Sequence, residues 1–140
     1  MTINCNGRLL DLTVPKVMGI LNCTPNSFFD GGKYGSQNEL LKQVEKMLAE
    51  GAAIIDIGAY SSQPQADFVS EAQELERLMT TLIMVRKHFP DAILSVDTFR
   101  AEVARISIEN GADIINDIAA GKLDEKMLPV VGHYKVPYIM

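Results

Sequence analysis

The sequence predicts an α/β fold built on a parallel sheet, and three observations carry that prediction. Short apolar runs, Ala53-Ile54-Ile55-Asp56-Ile57, Ile93-Leu94-Ser95-Val96-Asp97 and Asp113-Ile114-Ile115-Asn116-Asp117-Ile118, alternate with longer segments of helical periodicity. These runs are apolar nearly throughout, as strands covered on both faces are. The joints Glu50-Gly51-Ala52-Ala53-Ile54-Ile55 and Asn110-Gly111-Ala112-Asp113-Ile114-Ile115 echo each other. Each is a helix end, a glycine stop and a strand start, the mark of a repeating βα unit.

Residues 2–14 read as a hairpin, because Asn6-Gly7 suits the two positive-φ positions of a type I′ turn. Val17-Met18-Gly19-Ile20-Leu21 is a short apolar strand closed by Asn22, followed by a loop over 23–37. A helix over 38–50 follows, with Leu40, Leu41, Val44, Met47 and Leu48 on one face and Gly51 as its stop. The second strand spans 53–57 and its loop 58–69. Ser70 with Gln73 forms a capping box for a helix reaching about Lys87, before Pro90. The third strand covers 93–97, and Thr98 is placed to cap a helix that ends at Asn110-Gly111. The fourth strand covers 113–118. A weaker helix lies between 124 and 134 with Pro129 in its first turn, and a fifth strand begins at Val136.

Two parallel architectures accommodate this order: an open doubly wound sheet and a TIM-type (β/α)₈ barrel. The first strand lacks the G-x-G-x-x-G turn of dinucleotide-binding sheets, which weakens the former. A whole barrel needs about 250 residues. The 140 residues therefore read as the N-terminal part of one barrel domain, about five strands and four helices after a hairpin, interrupted in or near strand five.

Composition narrows the function. With 47% hydrophobic and 22% charged residues the chain has the balance of a globular protein. A net charge of −5 without a basic run argues against nucleic acid, and no apolar run is long enough for a membrane span. The start carries no basic stretch and apolar core of a signal peptide. Cys5 and Cys23 read as small apolar thiols in a reduced cytosol, so a cytoplasmic location is expected.

Four strands carry an amide or carboxylate at or near their C-terminal ends: Asn22, Asp56, Asp97 and Asn116, with Asp117 beside the last. Any one of these might simply cap a loop, as Asx residues often do. Four in succession favour a shared site at the rim where barrels place their chemistry. A carboxylate beside an amide matches a ring edge that mixes hydrogen-bond donors and acceptors. Side-by-side N–H groups suit Asp97, while Asn116 can donate to a carbonyl and accept from an N–H. No His, Cys or Glu joins the set, which excludes a zinc reading; Mg²⁺ with one amide oxygen from Asn22, phosphate and water remains open. Spacing alone reaches no further than a polar ligand, heterocyclic or phosphorylated.

The stretch Met18-Gly19-Ile20-Leu21-Asn22-Cys23-Thr24-Pro25-Asn26-Ser27-Phe28-Phe29-Asp30-Gly31-Gly32 resembles the first signature of the dihydropteroate synthases. Asp56-Ile57-Gly58-Ala59-Tyr60-Ser61-Ser62-Gln63-Pro64 resembles the second, and Ser95-Val96-Asp97-Thr98 and Ile115-Asn116-Asp117-Ile118 match later segments in order. The resemblance covers essentially the whole chain. It implies a transferase of folate biosynthesis that condenses 6-hydroxymethyl-7,8-dihydropterin diphosphate with p-aminobenzoate, giving 7,8-dihydropteroate and pyrophosphate. By the same resemblance Asn22 is a Mg²⁺ and diphosphate ligand, and Asp97 and Asn116 meet the pterin edge. Ser62 stands for a substrate-contacting Thr, and Phe28 and Pro64 sit in the two mobile loops that shape the p-aminobenzoate and sulfonamide pocket. Asp30 matches a loop carboxylate supporting a cationic pterin intermediate. The full-length enzyme is expected to be a homodimer.

The second loop departs from the family's Ser-Thr-Arg-Pro-Gly, reading Ser61-Ser62-Gln63-Pro64-Gln65. Gln63 thus lacks a guanidinium that would meet diphosphate. The family's Asp-Pro-Gly segment, its Lys and its Arg-x-His anion site would lie beyond Met140, so the 140 residues alone are expected to be inactive. Two other readings compete: a methyltetrahydrofolate-binding methyltransferase domain, against which the Asn22-Cys23-Thr24-Pro25 loop speaks, and an inactive half-barrel.

Overall fold

The computed structural model describes residues 1–23, 33–59 and 69–140. An antiparallel hairpin, β1 (Thr2–Cys5) and β2 (Arg8–Asp11), precedes five parallel strands: β3 (Val17–Asn22), β4 (Ala52–Gly58), β5 (Ile93–Asp97), β6 (Ile114–Asn116) and β7 (Tyr138–Ile139). Helices α1 (Lys33–Ala49), α2 (Glu71–His88), α3 (Ala101–Glu109) and α4 (Met127–Tyr134) connect them. The parallel strands lie side by side in chain order, β3-β4-β5-β6-β7. A doubly wound sheet would reverse that order at a switch point. A barrel wall does not, and the fold is the expected segment of one.

Alternation along the strands divides the core in two. One face, with Leu21, Ile55, Ile57, Leu94, Val96 and Ile115, packs under the helices. At the N-terminal ends of the strands, the other face meets the hairpin: Ile54 and Ile114 cluster with Cys5 and Leu10, and Met18 and Ile93 pack beside them. The hairpin turn has φ of 55° at Asn6 and 87° at Gly7, the geometry that its sequence predicts.

Arg8 fastens this plug. Its guanidinium pairs with the buried Asp113 at 3.0 Å, and Arg86 of α2 takes the other carboxylate oxygen at 2.6 Å. Asp113 also accepts from the backbone N–H of Leu94 at 2.9 Å. One carboxylate thus joins the hairpin, α2 and the start of β5.

Several local expectations need correction. Helix α1 begins at Lys33, so the loop expected over 23–37 is shorter and the helix expected over 38–50 longer. The strands expected over 113–118 and from Val136 onward reduce to Ile114–Asn116 and Tyr138–Ile139. Asp117 still donates its N–H to the carbonyl of Ile139 at 2.9 Å, but its carboxylate accepts from the N–H groups of Ala119 and Gly121, so the chain turns directly after it. The last helix starts at Met127, with Pro129 in its first turn. Thr98 does not cap α3, whose N-cap is Arg100. Instead Asp124, 23 residues on, accepts from the N–H of Ala101 at 2.7 Å, while Thr98 Oγ1 accepts from the N–H of Arg100. The capping box at Ser70 and Gln73 is formed as read.

Candidate active site

Strand register places the polar strand ends in one row. Asn22 pairs with Gly58, Gly58 with Asp97, and Asp97 with Asn116. Partners in a parallel ladder point their side chains to the same face. By alternation that face is the hairpin's, since Ile54, Ile93 and Ile114 lie on it two or four residues earlier. One layer below are Ile20, Asp56, Ser95 and Ile114, again register partners. The inner face is therefore graded: apolar against the hairpin, mixed in the middle, polar at the C-terminal rim. Asn22, Asp97 and Asn116 come together there, as the sequence places them.

Gly58 separates the first two. A Cβ built on it would lie 3.6 Å from the Cβ and 3.7 Å from Oδ2 of Asp97, and 3.9 Å from Oδ1 of Asn22. Asn22 is exposed, whereas Asp97 and Asn116 are half-buried. Across the layers, Asn116 donates from Nδ2 to Oδ2 of Asp56 at 3.1 Å. The two sit on β6 and β4, strands that are not neighbours and would lie about 9.6 Å apart in a flat sheet at ~4.8 Å per strand. Their contact requires the sheet to curl inward, as a barrel wall does.

Burial pushes the Asp97 carboxyl up to about 6, reinforced by the nearby charges of Asp56, Glu74 and Asp117. Glu74, a buried residue of α2, is also raised, chiefly by burial. Arg100 opposes that at 2.7 Å and donates as well to the carbonyl of Val69 at 2.8 Å. Arg77 holds the carbonyl of Ala59 at 3.1 Å. Asp117 accepts from the Tyr138 hydroxyl at 2.6 Å, and burial and that bond raise the phenol.

Asp56, one of the four polar strand-end residues that the sequence offers, lies one layer below the row, and Glu74 is not among them. Asp56 was visible as a polar residue in an apolar strand, but its contact with Asn116 is tertiary. Nothing local distinguishes Glu74 from its helix neighbours Glu71 and Glu76. Phe28, Asp30, Ser62, Gln63 and Pro64 lie outside the described residues.

For a metal, the described residues hold no group of three or more His, Cys, Asp or Glu side chains suited to a cation. The donor available at the rim is the neutral Asn22 oxygen, exposed at one end of the row. That fits Mg²⁺, which keeps most of its water and takes few protein oxygens beside substrate phosphates. No described helix is long and apolar enough to cross a membrane.

Comparison with known proteins agrees with this geometry. Residues 18–140 match the family model described as "Pterin binding enzyme". The mitochondrial folate synthesis bifunctional protein of Arabidopsis thaliana is 50% identical over 125 residues, covering 88% of this chain and 23% of that protein. The dihydropteroate synthase of Streptococcus pyogenes is 44% identical over 124 residues, covering 89% and 46%. A structure of Xanthomonas albilineans dihydropteroate synthase with 4-aminobenzoic acid superposes with a TM-score of 0.87 at 36% identity, covering 98% of this chain and 50% of the other. The chain spans half or less of the length of these relatives.

Proposed function

The chain belongs to the family of pterin-binding enzymes, and we propose that, within a whole barrel, it serves a dihydropteroate synthase. The observation that carries this is the row Asn22, Gly58, Asp97, Asn116 at the C-terminal rim of the inner face. A half-buried carboxylate and amide side by side at the rim of a parallel sheet are costly unless a ligand uses them. The ligand is 6-hydroxymethyl-7,8-dihydropterin diphosphate, and its partner is p-aminobenzoate, the ligand carried by the Xanthomonas relative.

Asp97 accepts from the side-by-side N–H groups of the pterin edge, and Asn116 reads the adjoining polar atoms. Asn22 is the residue that would hold Mg²⁺, and the ion would supply positive charge to offset that of the diphosphate. The bond from the pterin methylene to the diphosphate oxygen breaks, and the aniline nitrogen of p-aminobenzoate forms the new C–N bond and then loses a proton. The residues hold the partners in line and exclude water. On the family resemblance Asp30 would support the positive charge that develops on the pterin, Ser62 would contact substrate, Gln63 would stand at the diphosphate without the charge of an arginine, and Phe28 and Pro64 would shape the pocket of the second substrate. Sulfonamides occupy that pocket as mimics of p-aminobenzoate. The whole protein works as a cytoplasmic homodimer on this reading.

The test is turnover of the full-length protein with pterin diphosphate, p-aminobenzoate and Mg²⁺, against Asp97→Ala. We expect dihydropteroate from the first and a loss of at least about 10²-fold in kcat/KM from the second, as for removal of a preorganised polar contact. Equal turnover in both would remove Asp97, and with it the row, from the active site.

A further inference from the structure

We propose that Asp56 is a positioning residue whose carboxylate fixes the Asn116 amide in one orientation, so that a ligand meets its oxygen and nitrogen in a set order. The inference rests on the pterin-binding reading of the row above. An amide side chain has two flip states of similar shape, with acceptor and donor exchanged. In a site where Asn116 were held only by the ligand, either state would be available. Here the Asn116 group facing Asp56 lies 3.1 Å from a carboxylate oxygen. The facing atom is the amide nitrogen, which donates to Oδ2 of Asp56, and a carboxylate accepting there favours this state over its flip. Oδ1 of Asn116 is then directed away from Asp56 and has no partner among the described residues.

Stability does not account for Asp56. The residue is 3% exposed, yet it faces no arginine or lysine in an ion pair among the described residues. Its second oxygen, Oδ1, is buried without a hydrogen-bond partner among the described residues, and so is the hydroxyl of Ser95, its register neighbour. An apolar residue would cost less there. What the carboxylate supplies is orientation across β4 and β6, which a flat, neutral floor lacks. A ring whose edge presents its N–H groups in the order that Asp97 and the fixed Asn116 demand is accepted. One with donors and acceptors exchanged meets like groups and is refused.

The experiment is a double-mutant cycle on the full-length protein, with pterin diphosphate binding read by calorimetry. Asp56→Ala is expected to weaken binding about tenfold, and adding it to Asn116→Ala should weaken binding no further. Asp56→Asn, whose amide presents a donor or an acceptor and so fixes neither flip state, should weaken binding severalfold, toward the Asp56→Ala value. Should Asp56→Ala fail to fold, the Asn116 side-chain amide resonances of the isosteric Asp56→Asn protein serve instead, since loss of a charged acceptor shifts the bonded proton. Losses that simply add, or amide resonances that stay in place, overturn the inference alone. Wild-type protein that binds no pterin overturns it together with the reading beneath it.

Discussion

Asp97 carries a load imposed first by its burial and then by the charges of its neighbours on β4, α2 and the turn after β6. Its carboxyl is raised from 3.8 to about 6, so the folded chain holds the proton more tightly than the unfolded one. The consequence for stability has a definite sign. Below about pH 4 both states are protonated and the position costs nothing. As pH rises through about 6, the folded chain must ionise a half-buried group beside Asp56, Glu74 and Asp117, and stability is lost. Asp97→Asn removes that load. The variant should therefore gain on wild type between about pH 4 and pH 7 and hold its advantage above, as read from urea midpoints at each pH. A difference independent of pH would contradict the assignment. Asn22, Asp97 and Asn116 were legible in the sequence because polar residues interrupt buried strands there. Asp56 belonged to the same pattern, but its role needs the curvature that brings β6 to β4.

At the level of elements, legibility followed the range of the interaction. The Asn6-Gly7 turn, the Ser70 and Gln73 capping box and the strand at Ile93–Asp97 are settled within a few residues, and each was readable. The cap on α3 was not, because Asp124 reaches it from 23 residues away and displaces the local candidate, Thr98. The union of the hairpin with α2 was likewise hidden, since Arg8 and Asp113 are 105 residues apart. Asp113 is fully buried and holds two arginines, of which Arg8 is 30% and Arg86 19% exposed. Asp113→Ala should cost about 3 kcal/mol, since it removes the buried carboxylate that both half-buried arginines and the Leu94 N–H share. Arg8→Ala should cost less, because Arg86 still compensates the carboxylate. Chemical denaturation of both variants checks the order, and a smaller effect at Asp113 would mean that the network is ornamental.

Across the whole molecule, strands in chain order leave β3 and β7 each with one strand partner among the described residues. Val17 and Ile20 of β3 are 64% and 61% exposed, an unusual state for apolar residues of a parallel sheet. The relatives that this chain matches are at least about twice its length. On the proposed reading the anion-binding groups lie in that further half. The 140-residue chain, assayed alone with pterin diphosphate, p-aminobenzoate and Mg²⁺, should release no dihydropteroate. Adding the second half as a separate polypeptide should restore some, since each piece would contain whole βα units. Clear turnover by the 140 residues alone would place the catalytic set within them.

Gly58 gives the site floor a dimension that polar chemistry does not. Between an amide and a carboxylate it leaves a notch one methyl wide, and nothing in the fold requires that notch to stay open. A methyl placed there would make only ordinary contacts, at 3.6–3.9 Å, with Asp97 and Asn22. Folding would tolerate alanine at this position; a flat ring lying on the floor would not, because its plane would be lifted off the carboxylate by roughly the thickness of that methyl. On the proposed reading the glycine would act as a thickness gauge, setting how deep a planar ligand could settle and so which hydrogen bonds along its edge would come within reach.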